Sequence, residues 1–193
     1  MKKISAVFLA LLASISLVAA QSEWKLDKAN SSVSFSIKHM VISTVTGIFN
    51  DFDINFTSSK SDFSDASVEG IVKTASINTE NDRRDKHLKS DDFFNAEKYP
   101  EIKFKSKSFE KTADGKYEIT GNLTIRDVTK EVTFEANHNG SVKSTMGTTM
   151  HSWTATLTLN RFDYNLKWSQ TIETGGLIAG KDVTITVNIE LNK

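Results

Sequence analysis

From Ser32 to His39 apolar and polar side chains alternate strictly, with Val33, Phe35 and Ile37 interleaved by Ser34, Ser36 and Lys38. A period of two places the three apolar side chains on one face of an extended chain and predicts a strand with one dry and one wet side. Phe52, Ile54 and Phe56 repeat the pattern around Asp53 and Asn55, while Gly47 and Phe49 just upstream sit on the other parity. Such a switch predicts a bulge or bend between them. Further strands are expected at Val68 to Ala75, Ile102 to Phe109, Tyr117 to Ile125 and Glu131 to Asn137, with a hairpin turn at Asp114-Gly115. Near the end, Trp153, Ala155, Leu157 and Leu159 alternate with threonines, and Val183, Ile185, Val187, Ile189 and Leu191 do the same. Each of these two runs is long enough for roughly 30 Å of strand.

One stretch breaks the period. Thr79 to Phe94 is heavily charged and ends in two phenylalanines, which predicts a short helix capped by Thr79 or Asn81 and anchored by Phe93 and Phe94. A second helical turn at Met40 to Thr44 is weaker, because β-branched residues disfavour it. The sum is about eight antiparallel strands with one or two short helices in a single domain. Long alternating strands remove their exposed edges by closing into an up-and-down β-barrel. A two-sheet sandwich is the alternative that the same pattern allows.

The first twenty residues obey neither period. Lys2 and Lys3 precede an apolar run from Ile4 to Val18 that ends at Ala19 and Ala20, the layout of a secretory signal peptide cleaved after Ala20. An uncleaved anchor is the competing reading. The expected division is a signal over residues 1–20 and one domain over 21–193, periplasmic or secreted. Loss of the two lysines leaves 22 basic against 24 acidic residues, a balance that argues against nucleic acid as a ligand. There is no cysteine, which excludes disulfides, thiolate metal sites and cysteine nucleophiles.

A barrel of this size is either packed solid or left open around a ligand. Twelve phenylalanines, and an inward parity that mixes aromatic residues with Gly70, Thr74, Ser106 and Gly121, favour an open, apolar interior. The candidate pore lining is Phe35, Ile37, Phe49, Phe104, Leu123, Trp153, Leu157 and Val187. Trp24, Trp153 and Trp168 are each divided between core and ligand contact, with Trp153 favoured for the pore. The four histidines match no metal spacing, and no nucleophile elbow, zinc motif or phosphate loop is present. Asp85 and His87 could form an acid/base pair; the plainer reading is that Arg84, Asp85 and His87 knit the helix to the barrel rim.

The segment Ser76-Ile77-Asn78-Thr79, followed by Arg84-Asp85-Lys86-His87-Leu88 and then Asp92-Phe93-Phe94, resembles the signature of the YceI-like family. Landmarks before and after it agree in order: Trp24, Phe35, Lys38-His39, Gly47 and Phe49, then Tyr99-Pro100, Gly121-Asn122-Leu123-Thr124-Ile125, and Asn160-Arg161 with Asp163. The resemblance implies a lipocalin-like antiparallel barrel, exported, that holds a polyisoprenoid or isoprenoid quinone in a hydrophobic pore, with a link to membrane electron transport. Asp127, Tyr164 and Asn165 depart from the family pattern, which tends to Gly, Phe and Gly there.

The expected function is therefore a non-catalytic carrier of a long isoprenoid lipid, with no cofactor and no metal. Its expected partners are that lipid or quinone, a transient membrane contact and, compatible with the pattern, a second copy in a homodimer. Two alternatives remain at this stage: a lipid-modifying enzyme that uses Asp85 and His87, and a stress-related exported protein acting through partner contacts.

Overall fold

The computed structural model describes residues 23–193 apart from 146 and 174, so the expected signal segment lies outside the described residues. Eleven strand segments and one helix follow in order: β1 (Glu23–Leu26), β2 (Ser32–His39), β3 (Ser43–Phe49), β4 (Phe52–Thr57), β5 (Ser67–Lys73), β6 (Ile77–Asn78), α1 (Asp82–Lys89), β7 (Glu101–Ala113), β8 (Lys116–Ile125), β9 (Val128–Lys143), β10 (Thr149–Asn160) and β11 (Ala179–Asn192).

All pairings are antiparallel, and the sheet closes on itself because β1 pairs with both β4 and β11. Closure overturns the sandwich alternative and leaves no edge along that seam. β11 is flanked by β2 from Ala179 to Asn188 and by β1 at Leu191 and Asn192, so β1 and β2 act as one interrupted wall. β3 and β4 form the next wall, β3 against β2 and β4 against β1. The break between them at Asn50 and Asp51 is where the apolar parity switches. β5 and β6 form a third broken wall, pairing with β4 and β3 respectively. Eleven segments thus make an eight-walled barrel.

β8 alternates along its whole length, but β7 and β9 to β11 outrun their apolar alternation. β9 spans 16 residues, yet its stretch from Asn139 to Lys143 is exposed. Ladder hydrogen bonds continue past the point where one face stops being buried, which hydrophobic period alone does not reveal. Asp114-Gly115 makes the predicted β7–β8 turn, with Gly115 at φ +65°.

The expected helix is α1, capped by Asn81, whose side chain accepts from the Arg84 amide at 3.0 Å. The second helical turn is not formed. Met40 and Val41 take left-handed φ values of +48° and +69° and turn β2 into β3 as a hairpin, held by the Met40 amide on the Ile178 carbonyl at 2.8 Å. No helix among the described residues is long and apolar enough to cross a membrane.

Candidate functional site

The inward side chains leave an apolar cavity of ≈ 370 Å³ inside the barrel, within the usual range of about 300–1,000 Å³ for ligand sites. Its walls extend along β11 from Ala179 to Ile189, which at ~3.3 Å per residue and a strand tilt near 40° gives a tube roughly 25 Å long.

One end is shut by aromatic packing. Phe56, Phe109 and Trp153 border the cavity floor, and beneath them Phe63 is wedged against Trp24, Tyr117 and Trp153. Phe63 reaches that position from the β4–β5 loop with a left-handed φ of +59°. The loop is pinned by Asp65, which accepts from the Ser58 hydroxyl at 2.8 Å and from the amides of Ser59 and Lys60 at 3.1 and 3.2 Å. These bonds, the Ser59 hydroxyl foremost, hold the Asp65 carboxyl well below the usual range. Trp24 donates its indole N–H to the Ser58 carbonyl at 3.2 Å. It is therefore core at the closed end and no part of the cavity wall.

Of the eight expected lining residues, Phe35, Ile37, Phe49, Phe104, Leu123, Trp153 and Val187 stand in the wall. Leu157 shares the inward face of β10 with Ala155 and Leu159, which border the cavity, and packs partly buried against both apolar clusters. Gly70 lines the tube. Thr74 and Ser106 spend their hydroxyls elsewhere, on the Tyr99 carbonyl at 2.9 Å and the Val68 amide at 2.9 Å. Gly121 leaves room for the Phe104 ring: a Cβ there would come within 2.7 Å of it.

The other end is where polar groups gather. Lys38, His39, Arg84, His87 and Arg161 are its basic wall residues, beside Trp168, Phe93 and Phe94. Asp85 and His87 are not paired. Asp85 accepts from the Thr79 amide at 3.0 Å and from the Thr79 hydroxyl at 2.5 Å. Arg84 donates to that same hydroxyl and to the Thr79 carbonyl, each at 2.7 Å. His87 instead meets Asp92 at 2.9 Å and lies edge-on to Phe93 and Trp168. Arg84 and Asp85 thus lock the strand-to-helix junction, and the expected Asp85–His87 pair is not formed.

Among the described residues Arg161 is the largest fully buried side chain, 2% exposed, and has no carboxylate partner. Its guanidinium instead serves four carbonyls: Gly180 at 2.7 Å, Leu166 at 2.5 Å, Trp168 at 2.8 Å and Ala179 at 3.0 Å. Burial pushes its pKa down. One side chain so ties Leu166 and Trp168, at the mouth, to the start of β11.

Asp127 and Asn165 prove to be coupled. Asn165 adopts φ +59°, a conformation that suits Gly and which Asn tolerates, and donates to Asp127 at 3.2 Å. That bond holds the Asp127 carboxyl below its ordinary value. The Tyr164 ring is buried beside Leu123, Ile125 and Leu166, but its hydroxyl has no partner among the described residues.

His138 and His151, far apart in spacing, form a pair. They stack 5.2 Å apart at the closed end, with Nε2 of His138 3.0 Å from Nδ1 of His151. Each stands on the inward parity of its strand, with Ala136 and with Trp153 respectively; the signal was present, but only the β9–β10 register brings the two together. Among the described residues no group of three His, Asp or Glu could hold a metal.

The model of the YceI-like domain matches residues 24–191. A UPF0312 protein of Staphylococcus aureus is 38% identical over 167 residues, covering 86% of this chain and 95% of the relative. Among solved structures, the YceI protein of Campylobacter jejuni is 33% identical with a TM-score of 0.70, over 89% of this chain and 98% of that one. BcnA of Burkholderia cenocepacia superposes with a TM-score of 0.75 at 21% identity, over 86% and 99%. A polyisoprenoid binding domain from Saccharophagus degradans, implicated in plant cell wall breakdown, gives 0.60 at 14% identity, over 89% and 98%. The last two likenesses concern the fold alone.

Proposed function

Because the chain belongs to the YceI-like domain family, we propose that it is a non-catalytic carrier that holds a long isoprenoid lipid, a polyisoprenoid or an isoprenoid quinone, in its barrel. The observation that carries the reading is the blind apolar tube. It is long and narrow, its side walls are almost wholly hydrocarbon, and its polar groups collect at one end. That polarity suits a molecule with a long tail and one small polar head, tail inward. The polyisoprenoid binding domain of Saccharophagus degradans has the same fold and supports the choice of ligand class.

Energetics set what such a carrier does. At about 0.8 kcal/mol per buried CH₂, each five-carbon unit gains roughly 4 kcal/mol on leaving water. Against a bilayer the tail exchanges one apolar surrounding for another, so net affinity is far lower and both loading and release are feasible. We further propose export, with residues 1–20 as a cleaved signal.

Organic extraction of the purified protein followed by mass spectrometry tests the ligand, with a prenyl lipid as the expected yield. A protein that is empty as isolated and takes up neither a polyprenol nor a quinone on reloading would refute the carrier. N-terminal sequencing of the protein from its host tests export, the expected first residue being Gln21.

A further inference from the structure

Exposed apolar residues elsewhere on the barrel, such as Ile48, Ile71 and Val142, occur singly. At the tip of the β2–β3 hairpin three are consecutive: Met40, Val41 and Ile42, 41%, 61% and 89% exposed. Val41 stands at φ +69°, a conformation that β-branched residues adopt only when surroundings impose it. Here they do. The Met40 amide is tied to the Ile178 carbonyl, and Gly176 abuts Val41 so closely that a Cβ would lie 2.6 Å from its methyl group. The tip is propped outward by the segment between β10 and β11, which Arg161 ties through Leu166 and Trp168 to the start of β11.

The position of the tip matters as much as its composition. β2 ends in Lys38 and His39, both in the wall at the polar end of the tube, so the tip rises directly from its mouth. Trp168, an indole with an apolar body and one polar N–H, stands at the same mouth. Lys38 and Lys181 share a surface groove with Val41, along with Asp182. Consecutive exposed aliphatic residues, a rim tryptophan and flanking lysines are the features with which proteins enter the headgroup boundary of a bilayer.

We propose that the Met40-Val41-Ile42 tip inserts into a phospholipid surface and sets the mouth of the tube against it. This rests on the carrier reading in one respect: a prenyl tail is found in bilayers and not in water, so the mouth must reach a bilayer for the tail to pass. The insertion is chiefly apolar, since Asp182 offsets part of the lysine charge; anionic lipid adds modestly to it.

Flotation with vesicles of phosphatidylethanolamine and phosphatidylglycerol provides the test. The full-length mature protein should float with the vesicles, Ile42→Asp and Val41→Asp/Ile42→Asp should each bind at least about tenfold more weakly, and Val142→Asp, at the far end of the barrel, should bind like the wild type. The tip variants should load a long-chain polyprenol normally from detergent micelles but slowly from vesicles, and Val142→Asp should load from both like the wild type. Tip variants that float and load from vesicles as well as the wild type would overturn the proposal, as would a wild-type protein that ignores vesicles, which would leave the tip to a protein partner. A protein that floats by its tip yet takes up no polyprenol from micelles would retain the docking surface and refute only the carrier.

Discussion

Phe35 lies with its ring across Gly47, its directly paired neighbour on β3: a Cβ at position 47 would stand 2.5 Å from the Phe35 ring and 2.7 Å from the Thr79 methyl group. The absent side chain gives the ring its bed and keeps it flat against the wall, out of the middle of the tube. Gly47→Ala is therefore expected to destabilise the protein by about 1–3 kcal/mol, the usual cost of overpacking. Urea denaturation measures it, and adding Phe35→Leu should restore part of the loss through a coupling of the two sites. Simple additivity would show that the contact is not what makes position 47 a glycine.

How much of this was legible in the sequence depends on distance along the chain. Parity alone put Phe35, Ile37, Trp153 and Val187 on an inner face, and the break at Asn50-Asp51 follows from a parity switch. The closed end was not legible. Phe63 sits in a loop of serines and aspartates with no period, and its inward ring depends on a left-handed backbone and on Asp65. Arg84 and Asp85 could be read as structural, but their common target, Thr79, shows only in the fold.

Replacement of Arg161 should be among the most damaging single changes. Arg161→Met keeps much of the volume but strands four carbonyls at the mouth, and a buried group left unpaired costs about 1–3 kcal/mol. Arg161→Lys should rescue little, since an ammonium lacks the planar fork that spans four acceptors. Thermal denaturation should show a large loss for both, and limited proteolysis should cut first between β10 and β11. A lysine variant of wild-type stability would mean that charge, not the fork, is what the site requires.

Burial pushes the pKa values of His138 and His151 below the ordinary 6.5, and for His151 the neighbouring charges of His138 and Lys193 add to the effect. Above about pH 6.5 both are neutral whether the chain is folded or unfolded, and they contribute no pH dependence. As pH falls through 6.5 the unfolded chain takes up protons that the folded pair resists, so stability declines until the folded values are reached. Urea midpoints between pH 8 and 5 should therefore fall on the acid side, and His138→Gln/His151→Gln should flatten that slope. An unchanged slope would assign it to other groups.

Tyr164 is 1% exposed, and burial pushes its hydroxyl pKa up to about 12. With no partner for that hydroxyl among the described residues, Tyr164→Phe removes an unpaid desolvation cost and keeps the ring contacts with Leu123 and Leu166. Stability is expected to rise by about 1 kcal/mol, read as a higher melting temperature. A fall would mean that the hydroxyl is bonded in solution.

The sharpest test of the tube fills it without breaking the barrel. Ala155 stands in the wall on β10, paired with Ala136 on one side and Val187 on the other, so the lumen is lined here by small side chains. Ala155 is only partly buried because its methyl group faces empty space and not a packed neighbour. Ala155→Trp should project an indole into that space, and Ala155→Phe a smaller ring. Each gains apolar burial at about 25 cal/mol per Å², so the melting temperature should hold or rise while the circular dichroism stays that of the wild type. Prenyl lipid recovered by extraction should fall in the order wild type, Phe, Trp, because the plug divides a tube whose value to a long tail is its continuity. Undiminished lipid in a folded Trp variant would place the ligand outside the barrel and refute the pore as its site.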